Sequence, residues 1–335
     1  MRTSGWQLLA GVGAGALAAC FDPTIRPGSP CESSATCPSG QQCDPSSLTC
    51  ELAAADAADA DGSDVPTSGA CWPSWYDGTI RFTVTAIAEL ANSAAQEHPS
   101  LSEDDLTLYF DRTVPGRARD FYVSTRAAVG SPWGTPVELA ELDSTLDEER
   151  VTVGESGTYA VFASTRGGGA AELWSATRPT ATGAFSTPGQ TDVAADNVAS
   201  EEFDPQLSRD GLRLYHSPVS GSGTQTIALA SRTSTAMPFG APVALPELSI
   251  AGVVGDPTLS PDELLIVFAA NMGLARYMYY AIRPNSSASF GTPVEVPDVS
   301  SGAYDGNGTL SSTGCELIFM STRSGTKALY VANAQ

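Results

Sequence analysis

The sequence predicts an all-β protein, a five-bladed β-propeller of four-stranded blades closed by its N-terminal strand and preceded by a small disulfide-rich module. Two observations carry this reading. The first is a set of markers that returns at a nearly fixed interval. Taking the Ser260 of "GDPTLSPDELLIVF" as anchor, equivalent positions are Ser102, Gly154, Ser208 and Ser311, with steps of 52, 54, 52 and 51 residues. Eight residues after each anchor stand Phe110, Phe162, His216, Phe268 and Phe319. The next apolar run ends on Arg126, Arg178, Arg232 and Arg283, followed seven residues later by Trp133, Phe185, Phe239 and Phe290 and ten later by Pro136, Pro188, Pro242 and Pro293. A fixed internal period is the signature of a repeat architecture. The second observation is that each unit alternates with period two and is punctuated by Gly, Pro, Asn and Asp, which is the pattern of short antiparallel strands.

The first 19 residues read as an export signal. Arg2 supplies positive charge, Trp6 to Leu17 is apolar and rich in Gly and Ala, and small residues lead to Cys20. "LAAC" resembles the bacterial lipobox, which implies cleavage before Cys20, a lipid on its sulfur and attachment to a membrane. Phe21 stands where a retention Asp would favour the inner membrane, so by the same resemblance the outer membrane is expected.

Residues 20–50 form the next unit. Cys31, Cys37, Cys43 and Cys50 are too dense for a hydrophobic core and read as a disulfide module. Their spacings lack paired CxxC ligands, and no His is near, so a metal site is not expected. Residues 51–70, "ELAAADAADADGSDVPTSGA", have almost nothing to bury and read as a disordered acidic linker. Asp59, Asp61 and Asp64 only loosely suggest a calcium loop, because its closing Glu is missing.

Residues 71–335 hold the blades. The fourth unit shows the strands, here called A to D: "DPTLS", "LLIVFAA", "YMYYAIR" and "TPVEVP". Short four-stranded units without helices fit radial packing, which covers strand edges. "DPQLSRDGLRLY" and "DPTLSPDELLIVF" resemble the WD40-like repeats of bacterial envelope proteins, of the kind in the periplasmic propeller of the Tol system. That resemblance implies the fold and says little about function.

The fifth unit ends at "ALYVANAQ" without a D strand. Leu90, Leu142 and Leu248 each lie twelve residues before an anchor, which makes "TIRFTVTAIAEL" a D-strand region. The N-terminal segment 79–90 is therefore expected to pair with 327–333 and leave no open edge. With Cys20 set aside and four cysteines in the module, Cys71 and Cys315 remain as partners by elimination, on one face of blade five. Their disulfide would close the ring and contribute about 4–5 kcal/mol by chain entropy.

Chemistry is sparse. The net charge is −21, a single Lys stands among 17 basic residues, and no basic stripe exists, so a nucleic-acid partner is not expected. No Ser-His-Asp set, phosphate loop or metal-binding His pair can be assembled, and neither a catalytic set nor a cofactor is expected. His216 takes a slot held elsewhere by Phe and reads as core. Acids cluster before each strand A: Glu97 beside His98, Glu148 and Glu149, Glu202 and Asp204, Asp256, and Asp305. The B–C loops on the same face carry Arg112, Arg117, Arg119, Arg166, Arg276 and Arg323. Together they predict a polar funnel at the channel rim, with Glu97, His98, Glu149, Asp204, Asp256, Asp305, Arg112, Arg166 and Arg323 as candidate binding residues. The competing reading makes these charges fasteners between blades. The functional expectation is a monomeric, lipid-anchored, non-catalytic platform for an envelope protein, peptidoglycan or a surface glycan. The alternative is a glycan-active hydrolase, which needs two carboxylates flanking the scissile bond.

Overall fold

The computed structural model describes residues 41–44, 49–52 and 70–335, except 92–93, 114–115, 198–200 and 251. The export signal and Cys20 lie outside the described residues, as do most of the cysteine module and most of the linker, of which Glu51 and Leu52 are in a strand. Within that module β1 (Gln41–Asp44) and β2 (Thr49–Leu52) pair antiparallel, with Cys43 opposite Cys50. The chain divides into two compact units, 1–62 and 63–335.

The second unit is a five-bladed propeller. It opens with a short helix, α1 (Trp72–Tyr76), and β3 (Phe82–Ala86). Blade one is β4 (Ala95–Leu101), β5 (Thr107–Thr113), β6 (Arg119–Thr125) and β7 (Val137–Glu138). Blade two is β8 (Glu148–Gly154), β9 (Tyr159–Ser164) and β10 (Glu172–Thr177). Blade three is β11 (Glu201–Leu207), β12 (Arg213–Val219), β13 (Ala228–Ser231) and β14 (Val243–Ala244). Blade four is β15 (Val254–Leu259), β16 (Leu265–Met272), β17 (Ala275–Ile282) and β18 (Val294–Glu295). Blade five is β19 (Asp305–Leu310), β20 (Glu316–Ser321) and β21 (Ala328–Ala334), completed by β3. The closure is antiparallel, from Tyr330 opposite Ala86 to Ala334 opposite Phe82.

Two local features depart from expectation. Blade two has no D strand, only a bridge between Ser175 and Gly189. Where the other blades place Val137, Val243 and Val294, blade two has Gly189, which has no side chain to pack and weakens a strand. The segment after Cys71 forms α1 and buries Trp72 and Trp75, whose indole N–H groups donate to the carbonyls of Ser312 and Gly314. The Cys71–Cys315 disulfide is present, with Cα atoms 5.0 Å apart.

The recurring sequence markers are now explained. Each Ser-x-Asp turn is self-bonded: in blade four, Ser260 Oγ donates to Asp262 at 2.6 Å, while Leu264 and Leu265 N–H donate to Asp262 and Ser260. Each blade-ending Arg lies over its aromatic partner, with Arg126 4.5 Å from Trp133, Arg178 4.2 Å from Phe185, and Arg232 and Arg283 4.4 Å from Phe239 and Phe290. The same guanidiniums reach the preceding blade, at Glu316, Tyr109, Glu155 and Tyr215 respectively. The motif therefore bolts adjacent blades through stacking and charge-assisted bonds together. Nearer the axis, the N–H groups of Leu207, Leu310 and Leu101 donate to Thr152, Thr258 and Thr309 of the preceding blade.

Candidate functional site at the propeller axis

Four residues before every anchor the backbone adopts a left-handed conformation. The residues are His98 (φ 48°), Arg150 (41°), Asp204 (55°), Asp256 (59°) and Asn307 (53°). None is glycine, and such outliers are costly unless the surroundings enforce them. Each sits where the A–B ladder slips register, between Glu97 and Ser100, Glu149 and Thr152, Phe203 and Gln206, Gly255 and Thr258, and Gly306 and Thr309. Such bulges re-aim a side chain. Here they bring five polar side chains, one from each blade, to the propeller axis.

The ring is tightly wired. Arg150 crosses from blade two and donates from Nη2 to the carbonyls of Pro257, at 2.8 Å in blade four, and Gly308, at 3.2 Å in blade five. Only 1 % of Arg150 is exposed, so its side chain closes the channel at this level. Asp256 is held on every side. Arg276 donates from Nε and lies 2.8 Å away through Nη2, and Asn307 donates from both its backbone and its side chain. Asp204 accepts from the Asp256 N–H at 3.1 Å and from Gln225 at 3.4 Å. His98 Nδ1 lies 2.7 Å from Asp111, which also faces Arg119 at 3.4 Å. Arg119 in turn pairs with Glu149 at 2.5 Å and with Glu97 at 3.8 Å, and Lys327 donates to Glu97.

These contacts separate the titrations. Although burial opposes its charge, His98 is pushed up to about 9 by Asp111, with smaller help from Glu97 and Glu149. Asp204 is raised by burial and by the charge of Asp256. Asp256, although equally buried, is driven well below the ordinary carboxylate range by Arg276 and Arg150.

The sequence-predicted residues fall into two groups. His98, Asp204 and Asp256 reach the axis, with Glu97 and Glu149 beside it. Asp305, Arg112, Arg166 and Arg323 belong to fasteners within the blades. Asp305 accepts from Ser321 at 2.5 Å and from Arg323 at 2.8 Å, and Arg323 also donates to the Val299 carbonyl. Glu148, Ser164 and Arg166 repeat this set against the Leu142 carbonyl, and Arg112 donates to that of Leu90. The difference is one of register: Asp305 and Glu148 stand six residues before their anchors, and the axial residues four. Arg150 and Asn307 are not acids, so the acid pattern before strand A does not include them. Counting four residues back from each anchor finds both. The candidates are also buried instead of open: Asp204 and Asp256 are 6 % and 3 % exposed.

No family model matches the chain, and no curated protein matches it in sequence. Among solved structures, it is similar to a thermostable family-43 glycoside hydrolase, with 14 % identity over 75 % of this chain and 92 % of that one and a TM-score of 0.56. It is also similar to the α-L-arabinofuranosidase PaAbf62A from Podospora anserina, with 11 % identity over 76 % and 97 % of the two chains and a TM-score of 0.51. The TolB of Acinetobacter baumannii matches at 16 % identity and a TM-score of 0.42, over 63 % of this chain and 48 % of that one. At these identities the likeness is one of fold, the β-propeller.

Proposed function

We propose that this protein is a non-catalytic binding platform for another protein, held at the cell envelope by the lipid that its N-terminal Cys20 motif encodes. The observation that carries the non-catalytic reading is the closure of the axis by Arg150. A glycoside hydrolase must seat a sugar between two carboxylates. Here a buried guanidinium occupies the axis, and Asp256 is bonded to Arg276 and Asn307 instead of facing a cleft. A protein partner is favoured over a glycan by the exposed surface. Small-ligand sites are lined largely by hydrophobic and aromatic side chains. Among the described residues the one exposed large aromatic is Tyr76, and its hydroxyl donates to Asp262. The other exposed apolar side chains are aliphatic, and two of them, Leu274, which is the most exposed, and Met272, stand together at the β16–β17 hairpin tip.

One observation supports the second reading, a glycan-active hydrolase: Asp204 and Asp256 are pushed in opposite directions, as an acid and its partner are in enzymes. The test is two assays, sugar release by the purified Cys20→Ser chain and cross-linking of the chain with Cys20 intact in envelopes. The platform reading expects no release of sugar from arabinan, arabinoxylan or peptidoglycan. It also expects partner cross-linking in intact envelopes that is lost on Met272→Asp with Leu274→Asp. Sugar release that Asp204→Asn abolishes would overturn it in favour of the hydrolase.

A further inference from the structure

Blade three departs from all its siblings at two linked positions, and from blades two and five in a third way. Eight residues after the anchor, four blades bury Phe110, Phe162, Phe268 and Phe319, and blade three buries His216. Twelve residues before the anchor, the others bury Leu90, Leu142, Leu248 and Val299, and blade three buries Asp196. The third change is a loss. In blades two and five an Arg ties the strand-A carboxylate to the carbonyl of that same Leu or Val, as Arg166 does for Glu148 and Arg323 for Asp305. The equivalent of this Arg in blade three is Ser220, and the equivalent of Ser164 and Ser321 is Pro218.

The carboxylate itself remains, as Glu202, and His216 now serves it. Its Nδ1 lies 3.0 Å from Glu202 Oε2, and its Nε2 faces Asp196 Oδ1 at 3.6 Å. Asp196 and His216 are wholly buried. Neither Asp196 oxygen has a hydrogen-bond partner, nor has His216 Nε2. Two facing acceptors in the core cannot both stay bare, because an unmade buried bond is costly. A proton between them satisfies both. Glu202 is the charged group acting on Asp196, and the neighbouring strand presents only Ala228 beside His216.

We propose that Glu202, His216 and Asp196 form a titratable version of the blade fastener, in which one proton shared between His216 and Asp196 replaces the missing arginine. His216 Nδ1–H donates to Glu202. The shared proton joins Nε2 to Asp196, and the set carries one net negative charge wherever that proton sits. Burial and Glu202 raise Asp196 to about 8, so the proton is held through neutral pH. Above that value the core gains a second, unpaired carboxylate charge, and blade three loosens where a blade fastened by Arg would not.

The sign follows from proton counting. The unfolded chain releases its His proton near pH 6.5 and its Asp proton near 4. Between about pH 6.5 and 8 the native cluster keeps one proton that the unfolded chain has lost, so stability falls as pH rises and levels off above about 8. Denaturant unfolding of the full chain should therefore be compared with Asp196→Leu/His216→Phe, which restores the residue pair of the other blades. From pH 6.5 to 8 the parent's folding constant should drop roughly eight-fold relative to the variant. Should the double variant fail to fold, Asp196→Asn keeps the shape, offers His216 a fixed N–H and should likewise be flat across this window. In the parent, the carboxyl carbon signal that Asp196→Asn removes should shift near pH 8. Parallel pH profiles for parent and variants would overturn the proposal. So would a metal ion retained after dialysis and lost with His216→Phe.

Discussion

Arg150, on the innermost strand of blade two, donates to the carbonyl oxygen of Pro257 on blade four, 2.8 Å away across the ring. One side chain thus ties together blades that share no edge, and it does so at the point where a propeller usually keeps its channel. Its remaining amino group, Nη1, lies 4.0 Å from Asp256 and has no hydrogen-bond partner, so its charge is balanced from the same side.

Removing that guanidinium should be expensive. Arg150→Leu leaves the Pro257 and Gly308 carbonyls without their donor and Asp256 without one of its two flanking cations. A loss of about 3–5 kcal/mol is expected, the range for breaking a buried charged contact by removing one partner. Urea unfolding at pH 7 measures it. A loss below about 1 kcal/mol would mean that the crossing adds little.

The two axial aspartates should respond oppositely to neutralisation. Asp256 is stabilised as an anion, so Asp256→Asn should destabilise at neutral pH by removing the partner of a buried Arg276. Asp204 is raised, so folding stability is lost as pH rises from its unfolded value near 4 through its folded value of about 6, and stays lost above it. Asp204→Asn should therefore increase the melting temperature at pH 8, with the gain shrinking as pH falls below the folded value and vanishing below about pH 4, once the unfolded chain is protonated too. Melting curves of both variants across this range decide the assignment.

His98 provides a pH signature at the alkaline end. Its folded value of about 9 lies above the unfolded one near 6.5, so its stabilisation is full below about pH 6.5 and disappears as pH rises through about 9. His98→Gln should lower the melting temperature at pH 6 and have much less effect at pH 10. An effect that does not change with pH would show that His98 packs as a neutral ring.

The ring's covalent closure should be measurable apart from its packing. The Cys71–Cys315 bond spans 244 residues, for which the chain-entropy model gives about 5 kcal/mol. Replacing both cysteines with serine should lower the unfolding midpoint while leaving the far-ultraviolet circular dichroism of the folded protein unchanged.

How much of this was legible beforehand depends on what each feature rests on. Strand periodicity, blade number and closure by β3 are consequences of local pattern repeated at a fixed interval, and repetition multiplies a weak local signal; the Cys71–Cys315 pair follows from counting cysteines. The function of the repeated Arg and aromatic was not legible, although their spacing was, because the stacked pair belongs to one blade and its hydrogen-bond partner to the preceding one. Helix α1 was missed for a related reason. It is five residues long, and its two Trp side chains are held by the carbonyls of Ser312 and Gly314, some 240 residues away.

The sequence by itself determined the architecture, since alternation and turn chemistry act within a few residues of one another. Tertiary structure decided the chemistry of the axis. A difference of two positions along strand A separates Asp305, locked into its own blade, from Asp256 on the axis. That difference is set by a left-handed bulge, and composition does not mark it. Burial then decided what each acid is. Asp204 and Asp256 both precede a proline in similar strings, yet one is raised and the other depressed, because only in three dimensions do Arg276 and Arg150 stand beside Asp256.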